Sequence, residues 1–227
     1  MPKRARKPRD PARKSDATRR KLLERALKLF QQRGVEATTM RDIARAAGLS
    51  LGAAYYYFPS KDALVFAYYQ ANQAEVEAAS AAAAGSVRDR LGAVFHQRLE
   101  TMRPYRRMLA ALVGRVVDPH DPLSALSAQQ RDVRERAIAM LERALDGAGL
   151  PPEVARLAAH ALWLFQLANM LVYVHDESPR QARTHQLIDD ALDLLVPMLP
   201  LLATPMGRAV VDRVVAALGR AGIAVTA

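Results

Sequence analysis

Thr39-Met-Arg-Asp-Ile-Ala-Arg-Ala-Ala-Gly-Leu-Ser-Leu-Gly-Ala-Ala-Tyr-Tyr-Tyr-Phe-Pro-Ser-Lys61 is the stretch from which the fold is read. Thr39 is followed three residues on by Asp42, a variant of the capping box, which predicts a helix beginning at Met40. Ile43, Ala44 and Ala47 give that helix a small apolar face, and Gly48 permits a tight turn. Ser50 caps a further helix with room for only about two turns before Pro59. Two short helices joined by such a turn are the helix-turn-helix device, whose second helix is placed to enter a major groove. The hydroxyls of Thr39 and Ser50 stand at helix N-termini, where free N–H groups and the helix dipole favour phosphate.

Working outward, Leu22, Leu23, Ala26, Leu29 and Phe30 recur at helical spacing in a segment that runs from Asp16 to Gly34. Residues 1–14 hold seven Lys/Arg and three Pro with almost nothing to bury, a composition that describes a disordered basic arm. That arm is either a solvated tail or a reach toward DNA phosphates or a minor groove. Downstream, Ser60-Lys-Asp-Ala63 opens a fourth helix extending to about Ala83. Further helices are predicted near 86–102, 104–117, 124–146, 152–174, 181–202 and 205–221, with breaks at Gly and Pro. Pro197 and Pro200 predict that the segment 181–202 is kinked or ends early. No strand alternation and no repeat is present. The expected fold class is all-α: a three-helix head with the helix-turn-helix, residues 15–66, followed by a larger helical domain, residues 67–227.

The formal charge of +10 is unevenly distributed. Through Phe66 there are 16 Lys/Arg and 6 Asp/Glu; beyond it the two kinds balance at 17 each, and no Lys follows Lys61. The whole excess therefore sits in the head, which suggests a polyanionic partner for that end alone. The absence of Cys excludes disulfides, thiolate metal sites and thiol nucleophiles. The basic start lacks the apolar run of a signal peptide, so a cytoplasmic location is expected. Leu157 to Val174 is hydrophobic enough to suggest a membrane span, but His160, Gln166 and Asn169 interrupt it, and a buried helix is the better reading. No membrane partner is expected.

An enzyme is not expected either. His96, His120, His160, His175 and His185 are scattered without the paired spacing of a zinc hydrolase, and no Walker loop, dinucleotide glycine fingerprint or nucleophile elbow occurs. Asp118, His120 and Asp121 form one cluster; His175, Asp176 and Glu177 form another. Such residues in turns cap helices more often than they bind metal, so neither metal nor cofactor is expected.

From Thr18 to about Leu64 the chain resembles the TetR family of transcriptional regulators. The likeness is carried by Thr18-Arg-Arg-Lys-Leu-Leu23, Ala26-Leu-Lys-Leu-Phe30, Gly34, Ala37-Thr-Thr39, Ile43-Ala44, Ala47-Gly-Leu-Ser50, Gly52 and Tyr55-Tyr-Tyr-Phe-Pro-Ser-Lys61. The resemblance implies that Thr39 and Ser50 bind phosphates, that Tyr55, Tyr56 and Lys61 pin the recognition helix to the DNA backbone, and that Arg41, Gly52 and Ala53 face the groove. Phe58 and Tyr57 are assigned to the core, because three consecutive tyrosines fan out by about 100° each and cannot all reach DNA. Leu51, Ala53 and Ala54 depart from the commoner pattern, in which these positions carry hydrogen-bonding side chains. Discrimination would then rest on Arg41, on apolar contact of Leu51 or Ala53 with thymine methyls, and on DNA shape.

The resemblance also implies a homodimer on a near-palindromic double-stranded DNA operator, with an effector-binding and dimerisation function for the larger domain. Segments 152–174 and 181–202 are the candidates for the dimer bundle, although either is also readable as central core. The last segment, 206–218, has no assigned role. A pocket for a small apolar or amphipathic effector would draw on Phe95, Met102, Tyr105, Met108, Leu112, Trp163, Gln166, Asn169, Met170 and Tyr173, a composition shared by ordinary cores. Gln166 and Asn169 share a helix face, and buried amides need partners, which singles them out. The implied function is a repressor released by its effector. The rival is a nonspecific DNA-architectural or membrane-surface protein, which explains the charge but not the capped helices and the turn between them.

Overall fold

Thr39 closes both halves of its capping box: its hydroxyl accepts from the Asp42 N–H, and the Asp42 carboxylate accepts from the Thr39 N–H. In the computed structural model, which describes residues 11–118 and 120–220, this cap starts α2, Met40–Ala47. Before it lies α1, Pro11–Arg33, and after it α3, Leu51–Tyr57. Gly48 ends α2 at φ 70°, a left-handed conformation that a side chain would strain. Every regular element among the described residues is helical.

The chain divides into two compact units, Met1–Tyr68 and Tyr69–Ala227. In the first, α1 packs on α2 and α2 on α3. The predicted apolar positions Leu22, Ala26, Phe30, Ile43, Ala44 and Ala47 are buried, joined by Ala54, Phe58 and Leu64. Burial of each large side chain contributes about 1.5–3 kcal/mol. The Arg19 guanidinium lies 4.7 Å from the centre of the Phe58 ring, linking α1 to the end of α3.

The helix α4, Lys61–Ser80, runs from the first unit into the second. The second unit continues with α5, Val87–Met102; α6, Arg106–Val117; α7, Arg131–Ala144; α8, Pro152–His175; α9, Ala182–Met198; and α10, Pro205–Arg220. Short 3-10 turns stand before α6, before α9 and between α9 and α10. The central α8 packs against α5, α6, α7 and α9, while α5 also lies along α9 and α7. Arg156 of α8 reaches Glu135 and Glu142 of α7, and Arg88 of α5 reaches Asp189 and Asp193 of α9.

Length and composition alone would let α8 cross a membrane. Its Gln166 and Asn169 are buried inside the unit with Trp163 and Tyr173, the arrangement of a core helix. At its end, Asp176 accepts from the N–H and hydroxyl of both Ser178 and Thr184, so it caps the entry to α9. Burial opposes ionisation there, but those hydrogen bonds hold the carboxyl far below the usual carboxylate range.

Two expectations are corrected. The basic arm was expected to extend to residue 14, yet α1 already begins at Pro11, where proline suits a first helical turn; residues 1–10 lie outside the described residues. The segment expected to be helical from 124 does not become so until Arg131. Within 120–130, Ser124 and Ser127 turn the backbone through side-chain bonds to Leu126 and Gln130, which competes with helix. The segment 181–202 ends early, as Pro197 and Pro200 predict: its helix stops at Met198, and a 3-10 turn then leads to α10, bent by 99° from it.

Candidate nucleic-acid interface

Ser50 positions α3. Its Oγ accepts from the Ala53 N–H at 3.1 Å, fixing the first turn, and its hydroxyl proton points to no partner among its described hydrogen bonds. A proton so placed is available to a phosphate oxygen. The helix rests on Ala54, which is fully buried, so neighbours on the other sides face outward. Tyr56 is 82% exposed and Tyr55 48%. Gly52 is exposed, and a Cβ built there meets nothing within 4 Å. Leu51 and Ala53 are half-buried, and Arg41 on α2 is exposed.

Thr39 differs from Ser50. Its hydroxyl donates to the Asp42 carboxylate at 2.6 Å while accepting from the Asp42 N–H. Hydrogen bonds from Thr39 hold the Asp42 carboxyl below its ordinary value, so the start of α2 carries a fixed negative charge. A phosphate approaching Thr39 would have to displace that bond. Lys61 is also engaged: its ammonium donates to the Val35 carbonyl at 2.7 Å and to the Glu36 carbonyl at 3.3 Å, pinning the loop between α1 and α2. The Glu36 carboxylate also stands 4.0 Å from that ammonium, so a phosphate would meet Lys61 as an already paired cation.

Tyr57 is half-buried and stands edge-to-face against Tyr56, rings 5.2 Å apart, instead of joining Phe58 in the core. Sequence reasoning gave no separate role to Lys21, which the structure brings within 3.9 Å of the space beside Gly48, next to the turn. That proximity spans 27 residues of chain and leaves no local signal.

Two of the ten expected pocket residues, Met102 and Met170, line one described cavity. This cavity of about 160 Å³, its wall almost all apolar, opens between α6, α8 and the 120s loop, with Leu109, Val113, Leu126, Leu164 and Leu167 among its lining residues. Phe95, Met108, Leu112, Trp163 and Tyr173 are buried, and Tyr105 is half-buried. Gln166 and Asn169 are buried with Oε1 and Oδ1 lacking a hydrogen-bond partner, while the Asn169 amide donates to the Phe165 carbonyl.

A three-helix head whose short second and third helices meet at a capped glycine turn defines a helix-turn-helix DNA-binding protein. The chain belongs to the TetR family: residues 22–68 match the model of bacterial regulatory proteins of the tetR family, and residues 90–215 match the tetracyclin repressor-like C-terminal domain. It is 51% identical over 47 residues to the HTH-type transcriptional repressor KstR2 of Rhodococcus jostii, covering 21% of this chain and 23% of that protein. To the HTH-type transcriptional regulator AcrR of Shigella flexneri it is 37% identical over 59 residues, 26% and 27% of the two chains. The matched stretch thus spans about a quarter of either relative. Among solved structures, a TetR-family transcriptional regulator from Streptomyces coelicolor superposes with a TM-score of 0.59 at 23% identity, over 90% of this chain and 98% of that one. The transcriptional regulator FadR from Bacillus subtilis in complex with stearoyl-CoA gives 0.59 at 15% identity, over 76% and 96%. These likenesses extend the shared fold over both units.

Proposed function

We propose that this chain is a transcriptional repressor that binds a near-palindromic DNA operator as a homodimer in the cytoplasm and is released by a small apolar effector. The observation that carries the reading is α3: buried through Ala54, capped by Ser50, and exposing Gly52, Tyr55 and Tyr56 on a head that holds the whole positive excess. Ser50, Tyr55 and Tyr56 donate to phosphates, and Leu51, Gly52, Ala53 and Arg41 face the groove. Lys61 acts first as the anchor of the α1–α2 loop. Thr39 contributes mainly as a cap.

Dimerisation through α8 and α9 is supported by apolar side chains left in the open on both helices: Val172 on α8, and Leu187, Leu194 and Met198 on α9. The cavity bounded by Met102 and Met170 is the effector site, and its almost all apolar wall selects a hydrocarbon-like group over a charged one. The test is competition binding: labelled promoter-region DNA titrated with the chain at physiological salt against excess random duplex. A specific site should bind at least about 10³-fold tighter than random duplex. Equal affinity for all duplexes sinks the repressor reading in favour of nonspecific packaging.

A further inference from the structure

Two histidines 89 residues apart in sequence meet between α5 and α9. His96 Nδ1 lies 2.8 Å from His185 Nδ1. Their ring centres are 5.0 Å apart and the ring planes differ by 17°, so the imidazoles join edge to edge rather than face to face. The outer nitrogen of His96, Nε2, lies 3.0 Å from Asp189 Oδ1, and the outer nitrogen of His185 lies 4.0 Å from Glu100 Oε1. Glu100 is one helical turn beyond His96 on α5, and Asp189 one turn beyond His185 on α9.

The protons in this row can be placed by elimination. Burial opposes ionisation of Asp189, but bonds from Arg88 and His96 keep its carboxyl below the ordinary range, so Asp189 can only accept. His96 must then carry its proton on Nε2, which leaves Nδ1 as a bare lone pair. The only donor that can face that lone pair is the Nδ1–H of His185, and this leaves a lone pair on His185 Nε2, toward Glu100. One added proton fits there without disturbing any bond, giving an imidazolium beside the Glu100 carboxylate. A second proton has only His96 Nδ1 left, where it would point at the Nδ1–H of His185. Two N–H donors would then oppose each other across 2.8 Å between two positive rings.

We propose that His96, His185, Asp189 and Glu100 form a proton-operated latch that accepts one proton with the α5–α9 seam closed and opens that seam on taking the second. The remaining charges around it are accounted for. Arg88 and Asp193 pair on one flank, with Arg88 also on Asp189. Arg103, just past α5, pairs with Glu100. From the α8 side Asp176 faces His185 with a further negative charge, and the Tyr173 hydroxyl, pushed up by burial and by Glu100, stays neutral. Burial first, and then His96, hold the His185 imidazole below the ordinary histidine value, while Glu100 and Asp189 pull it the other way. Arg88 passes over Gly92, where a Cβ would stand 2.8 Å from Arg88 Nη1 and make the end of that side chain shift. The helix that carries His96 also supplies Met102 to the cavity wall.

The test uses the full chain with nitrogen-labelled histidine. Long-range proton–nitrogen NMR spectra at pH 8 should show His96 protonated on Nε2 and His185 on Nδ1. On acidification the pair should titrate in two coupled steps at least about one pH unit apart, because the sites interact directly. Hydrogen exchange of the α9 amides should rise only with the second step. The opposite tautomers, or single independent steps for each ring, overturn the latch. In H185Q the lower step should vanish and α9 exchange should lose its dependence on pH between 7.5 and 5; an unchanged acid response overturns it equally. If H185Q does not fold, the tautomers of the unaltered chain decide the question on their own.

Discussion

If α3 meets DNA as proposed, Tyr56 and Ser50 bear on affinity through hydroxyl protons that no described hydrogen bond occupies. Replacing Tyr56 by Phe removes one hydroxyl from a ring that is 82% exposed. Binding to operator and to random duplex should fall together by roughly fivefold, the worth of about 1 kcal/mol, with the thermal midpoint unmoved; a loss confined to operator would place Tyr56 against a base. Gly52→Ala separates fold from contact more sharply. The added methyl meets nothing in the free protein and removes a flexible residue from a helix, so stability should rise by up to about 1 kcal/mol. Operator affinity should fall if DNA approaches that backbone closely, and chemical denaturation beside a binding titration reads both. The contrast between Thr39 and Ser50 was only half legible in the sequence. Both read as caps and both are caps, but that Asp42 would take the Thr39 proton depends on side-chain geometry that spacing does not supply.

Elements are delimited mostly by local chemistry, which is why the helix-turn-helix could be read and the 120s loop could not. Thr39, Gly48 and Ser50 act within four residues of themselves. In 124–130 the periodicity suited a helix while the serine side chains settled on turns. Asp176 shows what one cap does for a helix junction. Asp176→Asn keeps the shape but turns one of the two accepting oxygens into a donor, so two of the four hydrogen bonds are lost, and it should lower stability by about 1–2 kcal/mol in urea unfolding. Because its carboxyl is held below the ordinary value, its contribution is complete above the unfolded pKa of about 3.9 and is lost as pH falls below that. The difference between Asp176→Asn and the unaltered chain should therefore shrink in acid. Gly207 is the matching point for α10: a Cβ there would overlap backbone atoms of Leu201 and Leu202, which cannot swing aside. Gly207→Ala should detach α10 from the turn after α9, seen as faster hydrogen exchange confined to 205–217 at first.

At the scale of the whole molecule, charge and hydrophobic pattern were enough to separate a basic head from a balanced helical body. The contacts that fix the candidate sites were not legible, because they join distant positions: Lys61 to Val35, Lys21 to the Gly48 turn, His96 to His185. Composition reached the described cavity only in part, through Met102 and Met170. Aromatic and Met positions marked the interior correctly, yet the cavity lies on the side of α8 lined by Leu164, Leu167, Leu171 and Val174. The charge asymmetry predicts a steep salt dependence, with log affinity falling by about 0.9 for each phosphate neutralised per tenfold rise in salt. Removing residues 1–10, which hold five Lys/Arg, should shallow that slope if the arm meets DNA. An unaltered slope, measured by fluorescence anisotropy from 50 to 300 mM salt, would make the arm a tail.

The open space around Gly52 and the exposure of Arg41 have one more consequence. The head is held together by Ala54, Phe58 and the loop anchor at Lys61, and none of the residues proposed to face the groove is among them. Side chains bearing donors and acceptors could be installed at 52 and its neighbours without rebuilding the scaffold. If α3 reads DNA as proposed, the address it recognises is editable, and a duplicated copy of the gene would drift to a new promoter in single substitutions while remaining a foldable protein at every stage.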